Sequence, residues 1–345
     1  MIRPASQFRE ILIHNWPISV TPSRDAGNLA PGGDIMSASG SKKVVYAALA
    51  GNALIAVTKF AAASYTGSSA MFSEAIHSVV DTGNQALLLF GMHQAARPAD
   101  KTHPFGYGKE IYFWAFVVAI LIFALGAGIS FYEGISKLRN PHPISNAYVN
   151  YLVLGFAILF EGGAWLVALR EFRATKGQGG YLAAIHNSKD PTVFTVLFED
   201  SAAMLGLVIA FTGIAIGQWT GQPIYDALAS IGIGAVLAVT AAFLAFECKG
   251  LLIGEAASPA VVAGITEIAN ASAGTLRINE IRTLHFGPED VLVTLSLDFA
   301  DSLGSVEVEA EISAMEQRIK ARFPEVSRVF IEAQSWTSHL AATRE

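Results

Sequence analysis

The run Phe72-Ser-Glu-Ala-Ile-His-Ser-Val-Val-Asp81 sets three ionisable groups, Glu74, His77 and Asp81, inside an otherwise apolar stretch. His77 and Asp81 are four residues apart, so on a helix the imidazole and the carboxylate share one face, one turn from each other. The surrounding segment, Ser69 to Met92, is long enough to cross a hydrocarbon core, which takes about 20 apolar residues. An ionised Asp at that depth costs roughly 2.5–3.5 kcal/mol. Such groups therefore face each other, water or an ion, and they mark a pathway before they mark anything else.

Outward from this run, five more segments qualify as spans: Val44 to Tyr65, Ile111 to Leu138, Val149 to Phe172, Val193 to Gln218 and Ile224 to Cys248. The connections Thr66-Gly67-Ser68 and Thr220-Gly221-Gln222-Pro223 are short enough to make antiparallel helical hairpins. Trp114, Tyr148, Tyr151, Trp219 and Tyr225 fall near span ends, as interfacial aromatics do. The composition agrees: 52% of the 345 residues are hydrophobic and 15% are charged, against about 25% charged in soluble domains. The net charge of −6 excludes the basic face of a nucleic-acid binder. A single cysteine, Cys248, excludes an internal disulfide framework or a cysteine-rich zinc ribbon. Lys42, Lys43, Arg97, Lys101, Lys109, Arg170, Arg173, Lys176, Lys189 and Lys249 flank the spans on one side, against Lys137 and Arg139 on the other. The positive-inside rule then places both termini in the cytoplasm, with a bacterial-type inner (cytoplasmic) membrane as the default location.

Four regions follow. Residues 1–40, with Pro4, Pro17, Pro22 and Pro31, read as a poorly structured leader without a secretory apolar core. Met36 would serve as an alternative start. Residues 41–250 form the transmembrane domain of six helices. Residues 251–335 read as a small cytoplasmic α+β domain in the order αββαβ: a helix from Pro259 to Ser272, strands at Ile278 to His285 and Val291 to Phe299, a helix from Ser305, and a strand at Val329 to Ile331. Such a layer buries little alone, so it predicts pairing with a second copy. Residues 336–345 are a tail.

The fifth span adds Glu199 and Asp200. One imidazole and several carboxylates facing each other across two helices suit a divalent metal, Zn²⁺ tetrahedrally or Mn²⁺ and Fe²⁺ as alternatives. Glu199 and Asp200 point about 100° apart on a helix, so both cannot point the same way, and Glu199 reads as a neighbour of the ligand, a proton carrier or an alternate ligand. Asp200 is the favoured ligand. Glu161, in the fourth span, either joins a proton path or bonds to Asn52 or Asn84.

These residues resemble the cation diffusion facilitators, the zinc transporter family. The run from Phe72 to Asp81 and the loop His103-Pro-Phe-Gly-Tyr-Gly-Lys109 are similar to the family's two most recognisable stretches. Phe198-Glu-Asp200, with Ser201-Ala-Ala, and Tyr225-Asp226 are similar to the zinc transporter 9 branch. The resemblance covers about residues 43–335. It implies a homodimer that exports Zn²⁺ or a similar cation in exchange for protons; no enzyme is expected, and the residues themselves offer His77, Asp81 and Asp200 as the metal set, with Glu199 a ligand or a neighbour of one. Two departures stand out. The family's fifth-span His-x₃-Asp would put its His at Val196. The family's loop site keeps Asp100 and His103 as a possible secondary metal pair, but Tyr107 occupies the second His position. An oxygen-richer site leaves an exporter of Mn²⁺, Fe²⁺ or Co²⁺ open. A metal-responsive sensor or an intramembrane metalloenzyme are the readings from other classes. No resident cofactor is expected, and lipid, protons and the second protomer are the expected partners.

Overall fold

The computed structural model describes residues 38–175, 180 and 189–342. The expected leader lies, up to residue 37, outside the described residues, and so does most of the connection after Thr175. Six long helices follow one another: α1 (Ala38–Thr66), α2 (Ser69–Ala95), α3 (Glu110–Arg139), α4 (Tyr148–Thr175), α5 (Pro191–Thr220) and α6 (Ile224–Ile253).

Local chemistry sets their ends. Gly67 takes φ of +69° in the α1–α2 turn, and the Ser68 hydroxyl accepts from the Met71 N–H at 3.1 Å to cap α2. Asp190 caps α5 by accepting from Thr192 N at 2.9 Å, with Pro191 in the first turn. Gly221, at φ +67°, ends α5 and lets the chain reverse into α6. A π turn over Ile122–Ala127 interrupts α3.

Among the described residues, α3, α4, α5 and α6 are long and apolar enough to cross a membrane. They account for four of the six expected spans. α2 is long enough but carries Glu74, His77, Asp81, Asn84 and Gln85, which lower its apolarity. The large side chains of α4 and α6 that point away from the bundle, such as Leu159, Val239 and Phe246, are exposed, as a lipid-facing surface requires. Inside, α3 and α6 approach closely at Gly134. A Cβ there would lie 2.6 Å from Ile231 Cγ1 and 2.8 Å from Ala227 O.

After α6 come α7 (Pro259–Asn270), β1 (Thr275–Gly287), β2 (Asp290–Phe299), α8 (Ser305–Arg322) and β3 (Val326–Ala333). This is the expected αββαβ order, with β1 and β3 longer than their hydrophobic patterns. β2 is central, antiparallel to β1 and parallel to β3, with α8 making the crossover that a parallel pair needs. Ile265, Val293, Leu295, Leu297, Met315 and Ile319 form its core. The segment expected as a tail instead begins with a short helix, α9 (Trp336–Ala342). Arg277 stacks 3.8 Å over Trp336, and the Trp336 N–H donates to Asp298, which holds the helix against the sheet.

The loop between α2 and α3 docks on this small domain. Phe105 stacks on Phe286 with ring centroids 5.0 Å apart, and Arg328 donates to the Phe105 carbonyl at 3.2 Å. Gly108 is required by that approach, because a Cβ would lie 2.4 Å from Phe286 O.

Candidate metal pathway

The sequence places His77 and Asp81 on one face of α2, and the folded helix turns that face inward. His77 is 1% exposed, its Nδ1 lies 3.3 Å from Asp81 Oδ1, and neither ring nitrogen has a hydrogen-bond partner. Asp81 Oδ1 is likewise buried without a partner. Across the helix interface, Asn84 donates to Glu199 Oε1 at 2.5 Å, and the Glu199 and Asp81 carboxyl groups meet. Two carboxylates cannot approach so closely with both charges bare, so the contact needs a proton or a cation between them. Asp200, beside Glu199 on α5, faces the same space.

That space is a cavity of about 630 Å³ between α1, α2, α4 and α5. Asp81, Glu161, Glu199 and Asp200 line it, together with Asn52 and Gln85. Its walls run from mid-helix toward the end of the bundle opposite the α1–α2 and α5–α6 turns. The structure thus brings His77, Asp81, Glu199 and Asp200 into one region, and Glu199 is the carboxylate in contact with Asp81. In this conformation, among the described residues, no three His, Cys, Asp or Glu side chains stand close enough to hold one metal ion.

Sequence reasoning missed Lys59. It lies in α1 with no exposure and donates to Glu74 Oε2 at 3.2 Å, Ser78 Oγ at 2.8 Å and Glu161 Oε1 at 2.9 Å. Glu161 therefore bonds to neither Asn52 nor Asn84, the two partners expected for it. Asn52 donates to Gln85 at 3.1 Å instead. A lysine midway along an apolar helix was the signal that could have found this cluster.

At the far end of the bundle a second buried pair appears. Lys137 donates to Asp226 Oδ2 at 2.6 Å and to Gly67 O at 2.7 Å. Lys137 had counted only as a flanking charge.

In the α2–α3 loop, Asp100 and His103 are neighbours, 3.8 Å apart and half-exposed. Asp100 already accepts from Thr102 N at 2.8 Å, His103 N at 2.7 Å and Tyr107 Oη at 2.7 Å. The Tyr107 bond, followed by the backbone donors, holds the Asp100 carboxyl below its ordinary range, while the same carboxylate pushes the Tyr107 phenol up. This is the pattern of a loop held by its own carboxylate. In the small domain, His285 is 4% exposed and its Nδ1 bonds to Gly287 O at 3.0 Å. Burial lowers its pKa. Asp290 pairs with Arg328 at 2.7 Å.

The bundle that carries these buried charges, residues 45–253, matches the model of the cation efflux transmembrane domain. The chain belongs to the cation efflux family. Among curated relatives, the mitochondrial proton-coupled zinc antiporter SLC30A9 of Mus musculus is 35% identical over 297 residues, covering 85% of this chain and 52% of the relative. Metal tolerance protein C4 of Arabidopsis thaliana is 36% identical over 218 residues, 63% of this chain and 48% of that protein. The cation-efflux pump FieF of Escherichia coli is 27% identical over 287 residues, 82% of this chain and 89% of the pump. The chain spans about half the length of the SLC30A9 relatives it matches. These names describe zinc antiport, metal tolerance and cation efflux, and the family places the chain among multi-pass membrane proteins.

Proposed function

We propose that this chain exports a divalent cation, Zn²⁺ before Mn²⁺, Fe²⁺ or Co²⁺, in exchange for protons. The cargo ligands are His77, Asp81 and the α5 carboxylates Glu199 and Asp200. All six long helices cross the membrane, both termini and the small α+β domain lie in the cytoplasm, and the working unit is a homodimer. The observation that carries this reading is His77, buried with both ring nitrogens unpartnered, beside an Asp81–Glu199 carboxyl contact on the wall of a cavity. Buried polar atoms are nearly always paired, so such a set is one that a ligand or proton completes.

The chemistry of exchange follows from the ligands. Metal binding needs neutral imidazole and ionised carboxylates, so an arriving cation takes the place of protons bound at the Asp81 and Glu199 carboxylates. The cavity reaches toward the end flanked by most of the basic residues, which suits a state open to the cytoplasm. Opening toward the other face would let protons compete for the same oxygens and release the metal there. In the present conformation Asp200 faces the cavity but does not meet Asp81. Closing α5 against α2 would bring it, with His77, around one ion.

The test is Zn²⁺ uptake into proteoliposomes with an acidic lumen. Proton-driven uptake by the wild type, reduced on the order of 100-fold in Asp81→Ala, is the expected outcome. Uptake that ignores the proton gradient, or an Asp81→Ala variant that transports normally, would remove the antiport reading.

A further inference from the structure

Lys59 has no place in the cargo set, yet its ammonium is buried within the same mid-bundle cluster. Its three donors are all used, on Glu74, Ser78 and Glu161. Each of its two carboxylate partners keeps a second oxygen, Glu74 Oε1 and Glu161 Oε2, that is buried and unpartnered. Glu161 also lines the cavity with Asp81, Glu199 and Asp200. One carboxylate therefore stands between two places, bonded to an ammonium on one side and facing the cargo space on the other.

We infer that Lys59 is a specificity-determining residue, a tethered cation that holds Glu161 and Glu74 out of the cargo's ligand set. The inference rests on the antiport reading. In a poorly solvated interior an ammonium 2.9 Å from Glu161 competes strongly with a second cation for that carboxylate. While the ion pair holds, the ligands left to the cargo are one imidazole and a limited number of oxygens, a set that suits four-coordinate zinc. Without the ammonium, Glu161 is free to add oxygens from α4. A richer oxygen shell favours harder ions with more ligands, Mn²⁺ above Zn²⁺. Lys59 thus acts on the metal through Glu161 and does not touch it. The pocket for Glu74 is built to the same end. Gly206 on α5 leaves the room for its carboxylate, since a Cβ there would lie 2.2 Å from Glu74 Oε1.

The experiment compares Zn²⁺ and Mn²⁺ uptake by the full chain in proteoliposomes, read as the ratio of the two KM values. Lys59→Met is expected to move that ratio toward Mn²⁺ by about tenfold or more. Adding Glu161→Gln to Lys59→Met is expected to return most of the shift, which a merely structural role for Lys59 would not do. An active Lys59→Met protein with the wild-type ratio overturns the inference. Should Lys59→Met fail to fold, Glu161→Gln alone decides. A Zn²⁺ KM and a metal ratio close to wild type support sequestration, whereas a loss as deep as that of Asp81→Ala makes Glu161 a ligand and overturns it. A wild type that moves neither metal removes the antiport reading and this inference together, an outcome distinct from a transporting wild type whose Lys59→Met variant keeps its ratio.

Discussion

Two buried charge clusters lie at different depths of the same bundle, built from the same kinds of residue to different standards of completion. At the hairpin end, Asp226 accepts from Ser68 Oγ at 2.6 Å through one oxygen, and from Lys137 at 2.6 Å, Ser69 N at 2.7 Å and Ser69 Oγ at 3.0 Å through the other. None of these side chains leaves a buried polar atom without a partner. At mid-bundle, Glu74, Glu161, Asp81 and His77 all do. The first cluster pins the α1–α2 turn to α3 and α6 and asks for nothing further. The second is a network short of partners, which low dielectric makes costly unless a proton or cation completes it. Burial of charge alone therefore does not tell the two clusters apart, whereas hydrogen-bond completion does.

That contrast breaks most readily at Asp226. Asp226→Ala leaves Lys137 buried without its counter-charge, and the expected loss is about 3–5 kcal/mol, seen as a lowered midpoint in thermal unfolding of the detergent-solubilised protein. Replacing both partners, Lys137→Met with Asp226→Leu, should recover most of it, because an apolar pair of similar size carries no uncompensated charge. Asp81→Ala should lower the midpoint little while removing transport. If it destabilises as much as Asp226→Ala, the two clusters are of one kind and the distinction fails.

A smaller effect is expected at Gly206. Gly206→Ala gains about 1 kcal/mol of helix propensity. It also drives a Cβ into the Glu74 carboxylate, and overpacking of that kind costs roughly 1–3 kcal/mol. The net expectation is a slight destabilisation, with a metal ratio moved in the same direction as by Lys59→Met. A more stable protein with an unmoved ratio would mean that Glu74 has room to relax and that its position is not selected.

The smallest effect concerns the small domain, whose buried histidine has the partner that His77 lacks. Burial lowers the His285 pKa in the folded state, so the unfolded chain binds a proton there at a higher pH, near the ordinary value of about 6.5. Below that value the unfolded state holds more protons, and the stability of the domain falls as pH drops. Hydrogen exchange of β1 and β2 in the full chain should therefore speed up, relative to its intrinsic rate, between neutral pH and pH 5.5. His285→Gln should flatten that dependence. An unchanged profile would mean that His285 stays accessible to protons in the fold.

Much of this was legible in the residues alone. The apolar segments of the sequence fall on the six long helices, and in four of them, α3 to α6, the apolar run is long enough to cross a membrane. The four-residue spacing of His77 and Asp81 placed both on one face, and the alternation of β2 and the apolar stripe of α8 laid out the small domain. What periodicity fixes is a side chain's direction on its own helix. It does not fix how that helix is rotated against its neighbours, and every pairing that distinguishes the two clusters depends on that rotation. Lys59 finds Glu161 from 102 positions away, and Lys137 finds Asp226 from 89. Glu199, and not Asp200, meets Asp81 because of how α5 turns against α2. Close approaches at small residues such as Gly134 and Gly206 help set those rotations. The sequence by itself determined that Glu74, His77, Asp81, Glu199 and Asp200 lie within the apolar spans, and only the packed bundle decided that Lys59 and Lys137 are buried too and which charges each of them meets.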